Sequence, residues 1–188
     1  MTDTGRAASL VGNGKWRLFH TGQVEIRTPD QRHGRKNADF GPGFYLTPDE
    51  AFSLRWARRD AVINEYELDT EGLDICFLKR DERWTEYIFG NRRLRDTVTA
   101  DIVVGPIAND TIFDTLGIIS SGLLKPEEAL RLLLIGPEYT QVAIKTDRAL
   151  RQLKWIRSFS AIGGESSREE QEAYQKQLGD VLEEIAGK

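Results

Sequence analysis

The sequence predicts an α+β domain, and three observations carry that prediction. Short strand-like runs alternate with helical segments of irregular length, which suits an α+β arrangement better than a regular βαβ series. A Gly- and Pro-containing stretch, residues 28–43 with Pro29, Gly34, Gly41 and Pro42, reads as one long loop inside the domain. The 188 residues are 39% hydrophobic and 30% charged, an ordinary globular balance with room for one core.

Taken in order, residues 1–14 read as a flexible lead-in to a domain over 15–157. Trp16 to His20 is a short aromatic and apolar strand ended by Thr21-Gly22. Phe44-Tyr45-Leu46 is a second strand. Thr47-Pro48-Asp49-Glu50 then predicts a capping box, with Thr47 at the N-cap, and a helix whose apolar face holds Ala51, Leu54 and Ala57 beside Trp56. Ala61–Leu68 and Leu73–Leu78 read as strands. Arg83–Phe89 has helical spacing and is expected to stop at Gly90. Ala100–Ile107 is a buried strand, 126–135 a helix and Tyr139–Lys145 a strand. Residues 111–122 fit no single template. Thr146-Asp147 opens a short helix expected to run to about Trp155. Residues 158–188 are expected to form a linker followed by an acidic helix over 165–186.

Composition excludes several classes. No apolar run approaches the roughly 18 to 20 residues of a membrane span. The first residues, MTDTGRAASLVGNGKW, lack the apolar core of a signal peptide, so a cytoplasmic protein with no membrane partner is expected. One cysteine, Cys76, and two histidines argue against a disulfide and against a transition-metal site. The net charge of −4 resides in residues 165–188, where seven acidic residues face three basic ones. Lys79 to Arg95 holds six basic and three acidic residues, a patch suited to phosphates or to a solvated face.

Three separated segments carry the chemistry: Phe19-His20-Thr21-Gly22, Asp39-Phe40-Gly41-Pro42-Gly43-Phe44-Tyr45-Leu46-Thr47, and Tyr139-Thr140-Gln141. In this order they resemble the diphtheria-toxin-like branch of the ADP-ribosyltransferase superfamily, which includes the poly(ADP-ribose) polymerases. That branch has a strand-borne His followed by Gly, then F-G-x-G-x-Y, then Y-x-E late in the chain. The sequence is also similar to a narrower group of small bacterial toxin-like proteins, thought to be partnered by antitoxins. Their D-F-G-x-G-F-Y-L-T core and V-x-G-P-x-A-N-D segment stand here as residues 39–47 and Val103 to Asp110. The resemblance spans about residues 16 to 155.

It implies a split β-sheet core with peripheral helices and an NAD-dependent mono-ADP-ribosyltransferase acting on a macromolecule. The alternatives it leaves are an NAD glycohydrolase and an inactive NAD-binding or interaction module. On this resemblance NAD contacts His20, Thr21, Gly22, Asp39, Phe40, Gly43 and Tyr45, with Arg92 (or Arg93) and Asn109 at its polar parts. Tyr45 would stack on the cationic nicotinamide, an attraction of about 1 to 2 kcal/mol when desolvated. Gly22 would let the backbone approach the carboxamide. Two positions depart from the pattern. Ala38 stands where an aromatic usually precedes F-G-x-G, and Gln141 stands where the branch has Glu. A glutamine can hold a ribose hydroxyl but supplies no negative field to an oxocarbenium-like sugar. A carboxylate elsewhere is therefore expected to assist: Asp110 first, Asp39 second, Glu138 third.

Overall fold

The computed structural model describes residues 10, 14–34, 38–55, 57, 60–92, 96–108, 128, 131, 132, 135, 136, 138–161 and 168–187. Its strands are β1 (Lys15–Gly22), β2 (Phe44–Leu46), β3 (Val62–Asp69), β4 (Ile75–Phe77), β5 (Ile102–Pro106), β6 (Thr140–Ile144) and β7 (Leu153–Ser160). Its helices are α1 (Glu50–Arg55), α2 (Glu82–Arg92), α3 (Asp147–Arg151) and α4 (Arg168–Ala186). The architecture is α+β, built on two sheets. One has the order β1-β3-β7 and the other β2-β6-β5-β4. All pairs are antiparallel except β4 with β5. None of the described helices is long and apolar enough to cross a membrane.

The period-two geometry of a strand sorts side chains onto two faces, and here both faces of the four-stranded sheet are covered. Ile102 and Val104 on β5, with Val142 and Ile144 on β6, point to one side. There they meet Trp16, Leu18, Tyr66 and Leu68 of the other sheet. Val103 and Ala143, paired across the strands, point to the opposite side, toward Trp84, Tyr87 and Ile88 of α2. Strands covered on both faces read as continuous apolar runs, which is why ADIVVGPI shows no alternation.

Helix α2 shows how sequence spacing reaches the site. Asp81 caps it, its carboxylate accepting from Trp84 N at 3.1 Å. Trp84, Tyr87 and Ile88 recur at helical spacing, and Trp84 Nε1 donates to the Pro106 carbonyl at 2.9 Å. Asn91, seven residues after Trp84, lies on the same buried face. The helix passes through Gly90 rather than stopping there, because its packed face continues to Asn91.

Two other expectations need correction. The N-cap of α1 is Asp49, whose carboxylate accepts from the amides of Ala51 and Phe52. Thr47 instead spends its hydroxyl across the sheet on the Thr140 carbonyl. Helix α3 ends at Arg151, and the stretch expected to continue it and then become a linker is strand β7. A bulge in the β3–β7 ladder pairs Glu65 with Arg157 but Tyr66 with Trp155, leaving Ile156 over. That extra residue breaks the alternation and hides the strand. Helix α4 lies against the domain: Leu178, Val181 and Ile185 pack against the cluster that contains Trp84, Leu132 and Ile135. Glu184 also pairs with Arg131. Residues 111–122 and Trp56 lie outside the described residues.

On the outer face of the three-stranded sheet the buried Glu65 is held between Arg17 Nε at 2.5 Å and Arg157 Nε at 2.6 Å. Burial pushes this carboxyl up, but the hydrogen bonds from Arg17 and Arg157 outweigh it and hold it below the usual range. A lowered folded pKa stabilises the fold above the unfolded value and ceases to do so as pH falls through the folded value. Glu65→Gln is therefore expected to cost about 1–3 kcal/mol near neutral pH, with the deficit vanishing in acid. Urea unfolding of both proteins at about pH 7 and about pH 3 measures it. A deficit that does not shrink in acid would assign the loss to packing instead.

Candidate functional site

The loop before β2 is fixed from several sides at once. Gly41 has φ +73°, and a side chain there would bring its Cβ within 2.7 Å of Asn91 Oδ1. The Phe40 carbonyl accepts from Lys145 Nζ and from the Tyr87 hydroxyl, the latter at 3.3 Å. The Lys145 side chain is mostly covered and also pairs with Asp96 at 2.7 Å. Burial pushes the Tyr87 phenol well above its ordinary range, so it remains a hydroxyl donor. Asn91 Nδ2 donates to the Asp39 carbonyl at 3.1 Å. Tyr45 closes the loop from above: its hydroxyl donates to the Gly41 carbonyl at 2.6 Å and accepts from Phe40 N at 3.1 Å. The Phe40 ring, fully buried, reaches to Gly105, where a Cβ would sit 3.1 Å from Phe40 Cζ.

Beside this loop an open cleft runs between the ends of β1, β2 and β6 and helix α1. His20, Thr21, Tyr45 and Gln141 line it together, with Phe19, Phe52, Ser53 and Ile107. Residues from three distant segments thus share one wall. His20 stacks on Phe44 with ring centroids 4.4 Å apart. Its Nδ1 lies 2.8 Å from the Tyr45 carbonyl, which can only accept, so Nδ1 donates and Nε2 is the accepting nitrogen of the neutral ring. Thr21 spends its hydroxyl on the Ser53 carbonyl at 2.8 Å, tying β1 to α1. At Gly22 a Cβ would come within 3.2 Å of His20 Nε2. The glycine there keeps space around the histidine, a different reason from the one the sequence offers.

Gln141 is almost wholly buried, and its Nε2 donates to Asp39 Oδ2 at 3.1 Å. The same Oδ2 accepts from Ala108 N at 3.0 Å. Asp39 is itself buried. One carboxylate therefore joins the loop before β2, the end of β5 and strand β6.

A family model described as a protein of unknown function (DUF3990) matches residues 16–155. The chain belongs to this family. No curated protein and no solved structure matches the chain. The matched span runs from β1 through α3 into the first residues of β7, and so takes in every described residue of the cleft. Helix α4 lies outside it.

Other expected site residues are placed differently. Phe40 is core, stacked on Tyr87 with centroids 6.0 Å apart, rather than a cleft wall. Gly43 passes close to the next strand, where a Cβ would lie 3.0 Å from the Ile144 carbonyl. Asn109, Asp110 and Arg93 lie outside the described residues, as does the side chain of Arg92. Glu138 does not line the cleft; its charge favours the charged form of Arg80, against the burial that lowers that pKa. Arg80 turns inward to the Ile135 and Gly136 carbonyls, so the basic run from Lys79 is not one solvent-facing patch. His33 pairs with Asp30 at 2.7 Å on the surface. The cleft also contains Phe52, stacked on Tyr139 at 4.1 Å, which sequence reasoning missed. Its helical offset from Asp49 was the one available signal.

Proposed function

We propose that the chain is an NAD-dependent mono-ADP-ribosyltransferase that releases nicotinamide and passes ADP-ribose to a macromolecular acceptor. The observation that supports this reading is the meeting of His20, Tyr45 and Gln141, from three motif segments, in one cleft. The cleft is largely apolar, with few polar groups exposed in it. An apolar wall suits a nicotinamide ring, and the Tyr45 face would attract that ring's positive charge. His20 and Gln141 can hydrogen-bond sugar hydroxyls.

In the reaction the bond from the ribose anomeric carbon to the nicotinamide nitrogen breaks, and its electron pair leaves with neutral nicotinamide. The acceptor nucleophile then bonds to that carbon and loses its proton. If water is the acceptor, the same step is NAD hydrolysis. The uncharged Gln141 is the observation that favours the second reading, a module that binds NAD without cleaving it. NAD labelled on its adenine side, incubated with the protein and a cell extract, separates the readings. A transferase releases nicotinamide and leaves label on macromolecules, whereas a hydrolase leaves the label in free ADP-ribose. Binding with no nicotinamide release would favour the module, and no binding at all would sink the NAD reading.

A further inference from the structure

We propose, resting on the reading of the cleft as an NAD site, that Asp39 is a positioning residue that makes Gln141 competent in place of a glutamate. A carboxylate only accepts hydrogen bonds, so the Asp39 contact fixes which end of the Gln141 amide is which. The NH₂ end faces Asp39, and Oε1 is the accepting end in a cleft that Gln141 lines. A ribose hydroxyl donating to Oε1 would meet an amide polarised from behind by a buried negative charge. The charge sits one amide group away from the sugar instead of touching it. It is held there from three elements: Ala108 N and Gln141 Nε2 on Oδ2, and Asn91 Nδ2 on the Asp39 carbonyl. This also gives a physical reason for two sequence segments to occur together. Asp39 opens the D-F-G-P-G-F-Y segment, and Ala108 belongs to the V-V-G-P-I-A segment that binds its carboxylate.

The consequence runs against what the sequence comparison leads one to expect. Gln141→Glu would restore the motif of the resembled branch, yet it would set two buried carboxylates about 3 Å apart, where both cannot ionise. Activity is expected to fall rather than rise. Asp39→Asn keeps an oxygen for Ala108 N and Gln141 Nε2 and removes only the charge. The double variant Asp39→Asn/Gln141→Glu moves the single charge forward onto position 141; the atom at position 39 that serves both Ala108 N and residue 141 can then accept from the one or donate to the other, but not both.

The test is nicotinamide release and NAD affinity for wild type, both single variants and the double. Each single variant is expected to release nicotinamide about 100-fold more slowly, the scale of a lost preorganised electrostatic contact. The double is expected to be about as slow as either single variant rather than about 10,000-fold slower, a non-additivity that independent sites do not show. Thermal melts of Gln141→Glu supply a second readout. Its stability deficit is expected to shrink toward acid pH, where the pair shares a proton. Wild type that neither binds NAD nor releases nicotinamide would remove the proposed function and this inference with it. Active wild type with an equally active Asp39→Asn, or a Gln141→Glu faster than wild type, would overturn this inference alone. Should both singles fail to fold, a double that folds supports the pairing, and a double that also fails overturns it.

Discussion

Phe40→Ala is expected to lower stability by about 3–5 kcal/mol, the range for truncating a fully buried aromatic. The ring has no exposed surface and belongs to the cluster formed by Trp84, Tyr87, Val103 and Ala143. Its removal would cost the contact with Tyr87 and open a void against Gly105, whose missing Cβ is what admits the ring. Neither wall can close easily. Gly105 is fixed in register opposite Gln141 on β6, and Tyr87 is tethered by its hydroxyl to Asp96 at 2.9 Å. For a domain of this size the loss corresponds to a melting temperature lower by roughly 6–20 °C. Thermal and urea unfolding measure it. A melting temperature within about 2 °C of wild type would mean that the loop collapses into the space, and that Phe40 is not what holds it.

Legibility in the sequence followed physical rules that can be traced residue by residue. Strands covered on both faces stood out as apolar runs, so β5 and β6 were readable within two residues of their ends. Strand β7 was not, because its bulge at Ile156 shifts the two-residue period midway. The α1 cap was misplaced because Thr47 and Asp49 can both cap. Only the tertiary contact of Thr47 with Thr140, 93 residues away, decides between them. At the site, the motifs name His20, Tyr45 and Gln141, and these three line one cleft. They could not show that Asp39 stands behind Gln141, since that contact spans 102 residues and needs the sheet register to exist. Lys145 and Asn91, which hold the loop from beneath, carry no local signal of that role. Asn91 was findable only by continuing the Trp84 face one more step along α2.

Tyr45 offers the sharpest separation of fold from function, because its two ends do different jobs. The hydroxyl clamps the loop through Gly41 O and Phe40 N, while the residue also lines the cleft. Tyr45→Phe removes both hydrogen bonds and keeps the ring. It is expected to lose about 1–3 kcal/mol of stability, since two part-buried backbone groups go unpaired. Its NAD affinity should stay within about threefold of wild type, because the stacking face is retained. Tyr45→Ala removes the ring as well. It is expected to weaken NAD binding by about 1–3 kcal/mol, or roughly 5- to 150-fold, the scale of a lost stacked aromatic and its buried area. Calorimetric titration with NAD, run below the melting temperature of each variant, measures both. If the folded Ala variant binds as tightly as wild type, Tyr45 is no stacking platform and the ring must lie elsewhere. If the Phe variant loses as much affinity as the Ala variant, the clamped loop, and not the aromatic face, carries the binding.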